Sequence, residues 1–227
     1  MRWKIEVERG SAAEMHGRSA ESVSDMRPAR TVRLLEPGAP ALVLGSSQTE
    51  GIVDLGAARA AGVSVVRRRS GGGAVFVAAH HVVWVDLVVP RSDPLWDDDV
   101  GAASWWVGDC WAAALGSLGV SDPVTVWKDA MVRTEWSSLV CFAGLGAGEV
   151  LVGGAKAVGV SQRRTRSAAL FQTALLLCWE PRRVLELLTL GGDQRERAAG
   201  ELEHAAVGVG NHETQVVFDA VVAALPA

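Results

Sequence analysis

Two stretches of this chain combine glycine with basic side chains in a pattern that can hold an anion. In the first, Arg67-Arg68-Arg69 runs directly into Ser70-Gly71-Gly72-Gly73-Ala74-Val75. Glycines reach positive φ and let main-chain N–H groups approach a phosphate or carboxylate with no Cβ in the way. Arginine adds charge and a planar two-point contact. In the second, Gly153-Gly154-Ala155-Lys156-Ala157-Val158-Gly159-Val160-Ser161-Gln162 places one lysine just past a glycine turn, at the start of an apolar segment. Each stretch alone also fits a plain element, a flexible hairpin with solvated arginines or a lysine at the wet end of a strand. Together they point to one site, where backbone amides and an ammonium face the same negative group.

The elements that must position these residues are β-rich. Val63 to Val66 enters the first glycine loop and Ala74 to Val77 leaves it, which reads as strand-loop-strand. A nucleotide-triphosphatase phosphate loop would need Gly-Lys-Ser/Thr followed by a helix, so that motif is excluded. Trp3 to Glu8, Thr31 to Leu35, Ala41 to Gly45 and the near-continuous apolar run Val82 to Val89 read as further strands, the last covered on both faces. Strand-like segments return from Ser137 to Leu177. Helices are expected from Ser11 to before Pro28, carrying Met15, Val23 and Met26, and then from Ile52 to Ala61. A longer one runs from Val100 to Leu118, with Asp97-Asp98-Asp99 capping its start and Trp105 and Trp106 packed on a sheet. Two more span Pro181 to Leu188 and Val216 to Ala224, and the glycine- and charge-rich Gly191 to Gly210 reads as a mobile connection. Strands pairing mostly in succession, with helices in groups, give an α+β fold with a mixed, largely antiparallel sheet flanked by helices.

At 227 residues and 49% hydrophobic content the chain can bury one sizeable core, and 1–227 is expected to be a single catalytic domain. A net charge of −4 argues against a surface devoted to nucleic acid. No apolar stretch reaches membrane-spanning length and the first residues carry no signal-peptide core, so a cytoplasmic location is expected. Cys110, Cys141 and Cys178 are odd in number and widely spaced, which indicates neither a disulfide framework nor a metal site. Cys110 and Cys178 lie in apolar helix and strand patterns and read as core.

In order and spacing, the two glycine stretches resemble the lipoate-protein ligase A family, within the superfamily that also holds octanoyltransferases and biotin-protein ligases. Arg67, Arg68, Ser70, Gly71, Gly72, Gly73, Ala74 and Val75 match the family's Arg-Arg-x-Ser-Gly-Gly-Gly-Ala-Val loop, which encloses an acyl-adenylate. Gly154, Lys156, Gly159 and Gln162 match Gly-x-Lys-x-x-Gly-x-Ala-Gln, with Ser161 in place of the alanine. The resemblance implies attachment of a lipoyl or octanoyl group to a lysine of a lipoyl-acceptor domain, in a 2-oxoacid dehydrogenase or glycine-cleavage protein. In a ligase, ATP and Mg2+ activate the lipoate or octanoate first, and Lys156 steadies the mixed anhydride. The biotin-ligase signature Gly-Arg-Gly-Arg is missing.

The chain departs from the family pattern in three places. Val77-Ala78-Ala79-His80-His81 stands where such ligases have His-Asp-x-Gly-Asn, so His81 either takes over part of that work or merely ends a strand. Gln172-Thr173-Ala174 replaces His-Gly-Thr, and no carboxy-terminal accessory domain follows, so a separate accessory protein could supply activation. In cysteine-dependent octanoyltransferases of the superfamily a Cys-Phe pair stands fifteen residues before the lysine, as Cys141-Phe142 does here. Cys141 is then either a nucleophile taking octanoyl from an acyl carrier protein without ATP, or a buried small hydrophobe. A third reading is a non-catalytic binder of acyl-adenylates or lipoyl proteins. Arg163, Arg164 and Arg166 either steer an acidic acceptor or form a solvated strand end.

Overall fold

The computed structural model describes residues 2–24 and 28–227; Met26, expected in the first helix, lies outside them. The strands are β1 (Lys4–Gly10), β2 (Thr31–Pro37), β3 (Ala41–Leu44), β4 (Ser64–Arg67), β5 (Val75–Val77), β6 (Val82–Pro90), β7 (Val124–Val126), β8 (Val150–Val152), β9 (Ala155–Arg164) and β10 (Ala168–Leu176). The helices are α1 (Ala12–Ser22), α2 (Leu55–Ala60), α3 (Trp105–Ser117), α4 (Pro181–Leu185), α5 (Gly192–Leu202) and α6 (Thr214–Ala224). A seven-stranded sheet runs β1-β2-β6-β10-β9-β8-β7, antiparallel except for the β1–β2 pair. A second sheet of three strands, β4-β3-β5, faces it. The fold is α+β with a mixed, largely antiparallel main sheet, as the sequence implies.

One face of the main sheet carries the largest core. Val107, Trp111, Ala114 and Leu115 recur at helical spacing on α3 and pack with Val217, Phe218 and Val221 of α6 against Val85, Val158 and Phe171. Each large side chain buried there stabilises by about 1.5–3 kcal/mol. All nine residues of β6 are buried, the outcome its unbroken apolar run requires. The other face meets the small sheet and α1 through Met15, Leu35, Val43, Val77 and Trp84. Ser11 starts α1 with a capping box, its Oγ accepting from the Glu14 amide while the Glu14 carboxylate accepts from the Ser11 amide.

Five sequence expectations need correction. The long helix begins at Trp105 rather than Val100, because Asp99 spends its carboxylate on the amides of Gly101 and Ala102 and caps a 3-10 turn over Ala102–Ser104 instead. Trp105 does not pack on the sheet but stays 38% exposed, while Trp106 meets Trp3 and Phe171. The helix expected from Ile52 is shortened to α2, since the Asp54 side chain caps Ala57 and restarts the chain there. Gly191 to Gly210 is no simple connection: Ala198, Ala199 and Leu202 give α5 a buried stripe, leaving its charges outside. Cys178 lies past the end of β10 and is half-buried, not core.

Candidate active site

The triple-glycine loop is present between β4 and β5, but those strands do not form a hairpin. They flank β3 on opposite sides, so the loop must cross over the end of β3. That crossing explains Gly45, where a Cβ would lie 1.8 Å from the Gly72 carbonyl oxygen. Gly72 has φ +99, and a Cβ on Gly73 would sit 2.5 Å from the Val140 backbone. Arg68 is buried and turned inward, donating from Nη2 to the carbonyls of Gly71 (2.7 Å) and Gly73 (2.9 Å) and from Nη1 to Val43 (3.2 Å). With those carbonyls drawn inward, the amides of Gly71, Gly72 and Gly73 have no hydrogen-bond partner among the described residues. They are free to receive an anion.

The second glycine stretch lies beside the first. Gly153 (φ +59) and Gly154 (φ +88) make the two-residue turn between β8 and β9, a conformation both glycines adopt without strain. Lys156 follows and is 3% exposed. Its Nζ donates to the carbonyls of Cys141 and Gly144, each at 3.0 Å, and pairs with Glu149 Oε2 at 2.7 Å. The Glu149 carboxylate also accepts from the amides of Gly146 (2.7 Å) and Val160 (3.2 Å). Ala74 links the stretches: its amide donates to Leu139 and its carbonyl accepts from Cys141. Gln48 completes the clamp, accepting from the Gly45 amide and donating to the carbonyls of Ser138 and Leu139.

Two cavities meet here. The outer one, about 650 Å³, is lined by Gly71, Gly72, Gly73, Cys141, Lys156, Ser161 and Gln162 among others. The inner one, about 50 Å³, is mostly apolar, with Val43, Val75, Val77, Phe142, Gly159 and Ala174 in its walls. Gly159 pairs with Ala174 and Ala174 with Trp84 in register, so two small side chains leave a groove on the sheet face. Cys141, Val160 and Ser161 line both cavities.

A polar row crosses the same sheet face: Ser161, Gln172, Asp86, Arg33 and Glu6 are successive cross-strand partners. Ser70 Oγ sits 2.9 Å from Ser161 Oγ and donates to Gln172 Oε1. Gln172 Nε2 reaches His16 Nδ1 (3.2 Å) and Asp86 Oδ2 (3.3 Å). Asp86 also accepts from Ser19 Oγ and Trp84 Nε1. Burial pushes its carboxyl up to about 6, against those hydrogen bonds and Arg33. Burial, and then the nearby Arg68 charge, push the His16 imidazolium down to about 3.

Not every residue read from the sequence arrives at this place. Arg67 and Arg69 are exposed, and Gly154 lines neither cavity. His81 lies in a separate apolar hollow, where its Nε2 faces Arg183 at 2.8 Å. Gln162 lines the outer cavity and accepts from Arg164 Nε. Arg164 is committed to the Asp97 and Asp98 carbonyls and stacks over Trp96. Glu149, His16, Asp86 and Gln48 escaped the sequence reading. Glu149 precedes Lys156 by seven residues, with a turn between them that the glycine pair alone could have flagged.

The model of the lipoyl protein ligase A/B catalytic domain matches residues 15–211. Among solved structures, the chain is similar to the bi-partite lipoate protein ligase of an archaeal lipoylation system from Thermoplasma acidophilum, studied with its E2 lipoyl domain. That match has TM-score 0.76 and 18% identity and covers 99% of this chain and 82% of that one. A T. acidophilum protein with bound lipoic acid gives 0.74 at 18% identity, covering 99% and 84%. A lipoate-protein ligase A bound with ATP gives 0.72 at 18% identity, also covering 99% and 84%. At these identities the likeness is one of fold. No curated protein matches the chain at a significant level.

Proposed function

The chain belongs to the lipoyl protein ligase A/B catalytic-domain family, and on that footing we propose that it is an enzyme joining a lipoyl or octanoyl group to a lysine of a lipoyl-acceptor domain. One observation carries the reading: the apolar cavity opens, at Cys141 and Ser161, into a mouth where three free glycine amides and Lys156 lie together. An acyl chain fills the inner cavity and its activated head group lies in the mouth. In the ligase route the acyl carboxylate attacks the α-phosphorus of ATP, forming acyl-adenylate and releasing pyrophosphate. The acceptor amine then attacks the acyl carbon, and AMP and a proton leave. Amides of Gly71 to Gly73 fit the phosphate and the oxyanion that develops, because donors fixed beforehand need no reorganisation as charge shifts. Lys156 supplies the cation by exchanging one of its three acceptors for the substrate oxygen. Mg2+ accompanies the ATP, and the lining offers it one carboxylate, Glu149, already paired with Lys156. Arg68 shapes the loop and also lines the inner cavity.

The position of Cys141 supports a second route. Its thiol lines both cavities and lies against the loop, Sγ being 3.7 Å from where a Gly72 Cβ would stand. A thiolate there attacks a carrier-protein thioester, expels the carrier thiol, and hands the acyl group to the acceptor amine, which restores the free cysteine. Intact-mass analysis of a lipoyl domain separates the routes: free acid with ATP and Mg2+ in one arm, acyl carrier thioester in the other. The ligase reading expects acylation in the first arm, retained in Cys141→Ala. The transferase reading expects it in the second arm and its loss in that variant. An acceptor mass unchanged in both arms, and also when preformed acyl-adenylate is supplied, sinks the enzyme assignment.

A further inference from the structure

We propose that the inner cavity selects an acyl chain carrying a hydrogen-bond acceptor, oxygen or sulfur, near its distal end, and that His16 Nε2–H is the donor that reads it. The inference rests on the acyl-pocket reading above and names the substrate class for that pocket. His16 lines the cavity from α1 and stacks on Trp84 with ring centroids 4.4 Å apart, two strands away from β9, where Ser161 marks the opening to the mouth. A chain entering past Cys141 therefore reaches His16 with its far end.

The polar row fixes which ring nitrogen carries the proton. Ionised Asp86 can only accept, so the Gln172 amide must present N–H to it, and Gln172 Oε1 then faces Ser70 Oγ. The second proton of the same NH2 group points to His16 Nδ1, which becomes an acceptor and leaves the proton on Nε2. That Nε2 is buried and has no hydrogen-bond partner among the described residues. The imidazolium is suppressed well below neutral pH, so the ring acts as a neutral, fixed-tautomer donor and not as an acid. An unpaired buried donor penalises the empty pocket and rewards a ligand that supplies the missing acceptor, while Arg68 in the same lining already donates to the Val43, Gly71 and Gly73 carbonyls. A plain octanoyl chain offers nothing there, whereas a dithiolane sulfur offers a weak acceptor and a ketone oxygen a strong one.

Calorimetric titration of the full chain with octanoic acid, lipoic acid and octanoic acid bearing a ketone beside its terminal methyl tests this without any turnover. Wild type should bind the keto acid about tenfold tighter than octanoic acid, the worth of satisfying one buried donor, with lipoic acid between them. His16→Leu should bring the ratio close to one, and His16→Gln, which keeps an N–H, should restore part of it. In wild type, NMR of the imidazole nitrogens should show a protonated Nε2 that shifts with the keto acid and stays put with octanoic acid. Equal binding of all three acids overturns the role of His16 while leaving the acyl pocket standing, as does an undiminished ratio in His16→Leu. Failure of every acid to bind removes the acyl pocket and this inference with it.

Discussion

Replacing Glu149 isolates the interaction that holds Lys156 in place. Lys156 is 3% exposed and its ammonium has three acceptors, of which Glu149 alone is charged, at 2.7 Å. Glu149→Ala leaves a buried cation on two carbonyls and frees the Gly146 and Val160 amides. Removing one partner of a buried pair costs about 3–5 kcal/mol. With a urea slope near 2 kcal/mol per molar, the unfolding midpoint should fall by about 2 M. Glu149→Gln keeps one acceptor for Lys156 but turns an N–H toward a donor, and should cost about 1–3 kcal/mol. Glu149→Met combined with Lys156→Met removes both charges and should cost clearly less than the two single changes added together, by at least about 2 kcal/mol. Equilibrium urea unfolding of the five variants, Glu149→Ala, Glu149→Gln, Glu149→Met, Lys156→Met and the double Met change, beside wild type gives these differences directly. A loss below about 1 kcal/mol for Glu149→Ala, or strict additivity in the double variant, would refute the buried-pair account.

Gly45→Ala should damage binding more than folding elsewhere, because its Cβ would stand 1.8 Å from the Gly72 oxygen and push the loop off its place; limited proteolysis should show new cleavage between Arg67 and Ala74, and an unaltered pattern counts against the crossing. Asp86 gives a pH signature of a definite sign. Its folded value, raised from 3.8 to about 6, means the folded state holds the proton longer than the unfolded chain. The stabilisation is full below about pH 4 and is lost as pH rises through about 6, a change of about 3 kcal/mol. Unfolding free energies of wild type and Asp86→Asn should diverge across that window, and parallel profiles would show that burial does not perturb this carboxyl.

Among the described residues no helix is long and apolar enough to cross a membrane, which agrees with the absence of a spanning run in the sequence. Strands β1, β2, β3 and β6, the last buried on both faces, and the start of α1 after Ser11 were legible because they depend on neighbours within a few residues. Polarity pattern and capping chemistry act locally. Boundaries near Asp99, Asp54 and Gly191 misled for the same reason: a carboxylate caps whichever turn the chain presents, and a short alanine stripe forms a helix only once another helix covers it.

The two glycine stretches could be read as a candidate anion site from residue type and spacing, whereas an acyl substrate and the interest of Cys141-Phe142 came only from the family resemblance. Which arginine turns inward, where Glu149 meets Lys156, and how Ser161, Gln172 and Asp86 align across β9, β10 and β6 were decided by tertiary structure. Tertiary packing brings together positions as far apart as His16 and Gln172, and no local rule of sequence specifies that meeting or the buried His16 Nε2 it leaves without a partner among the described residues.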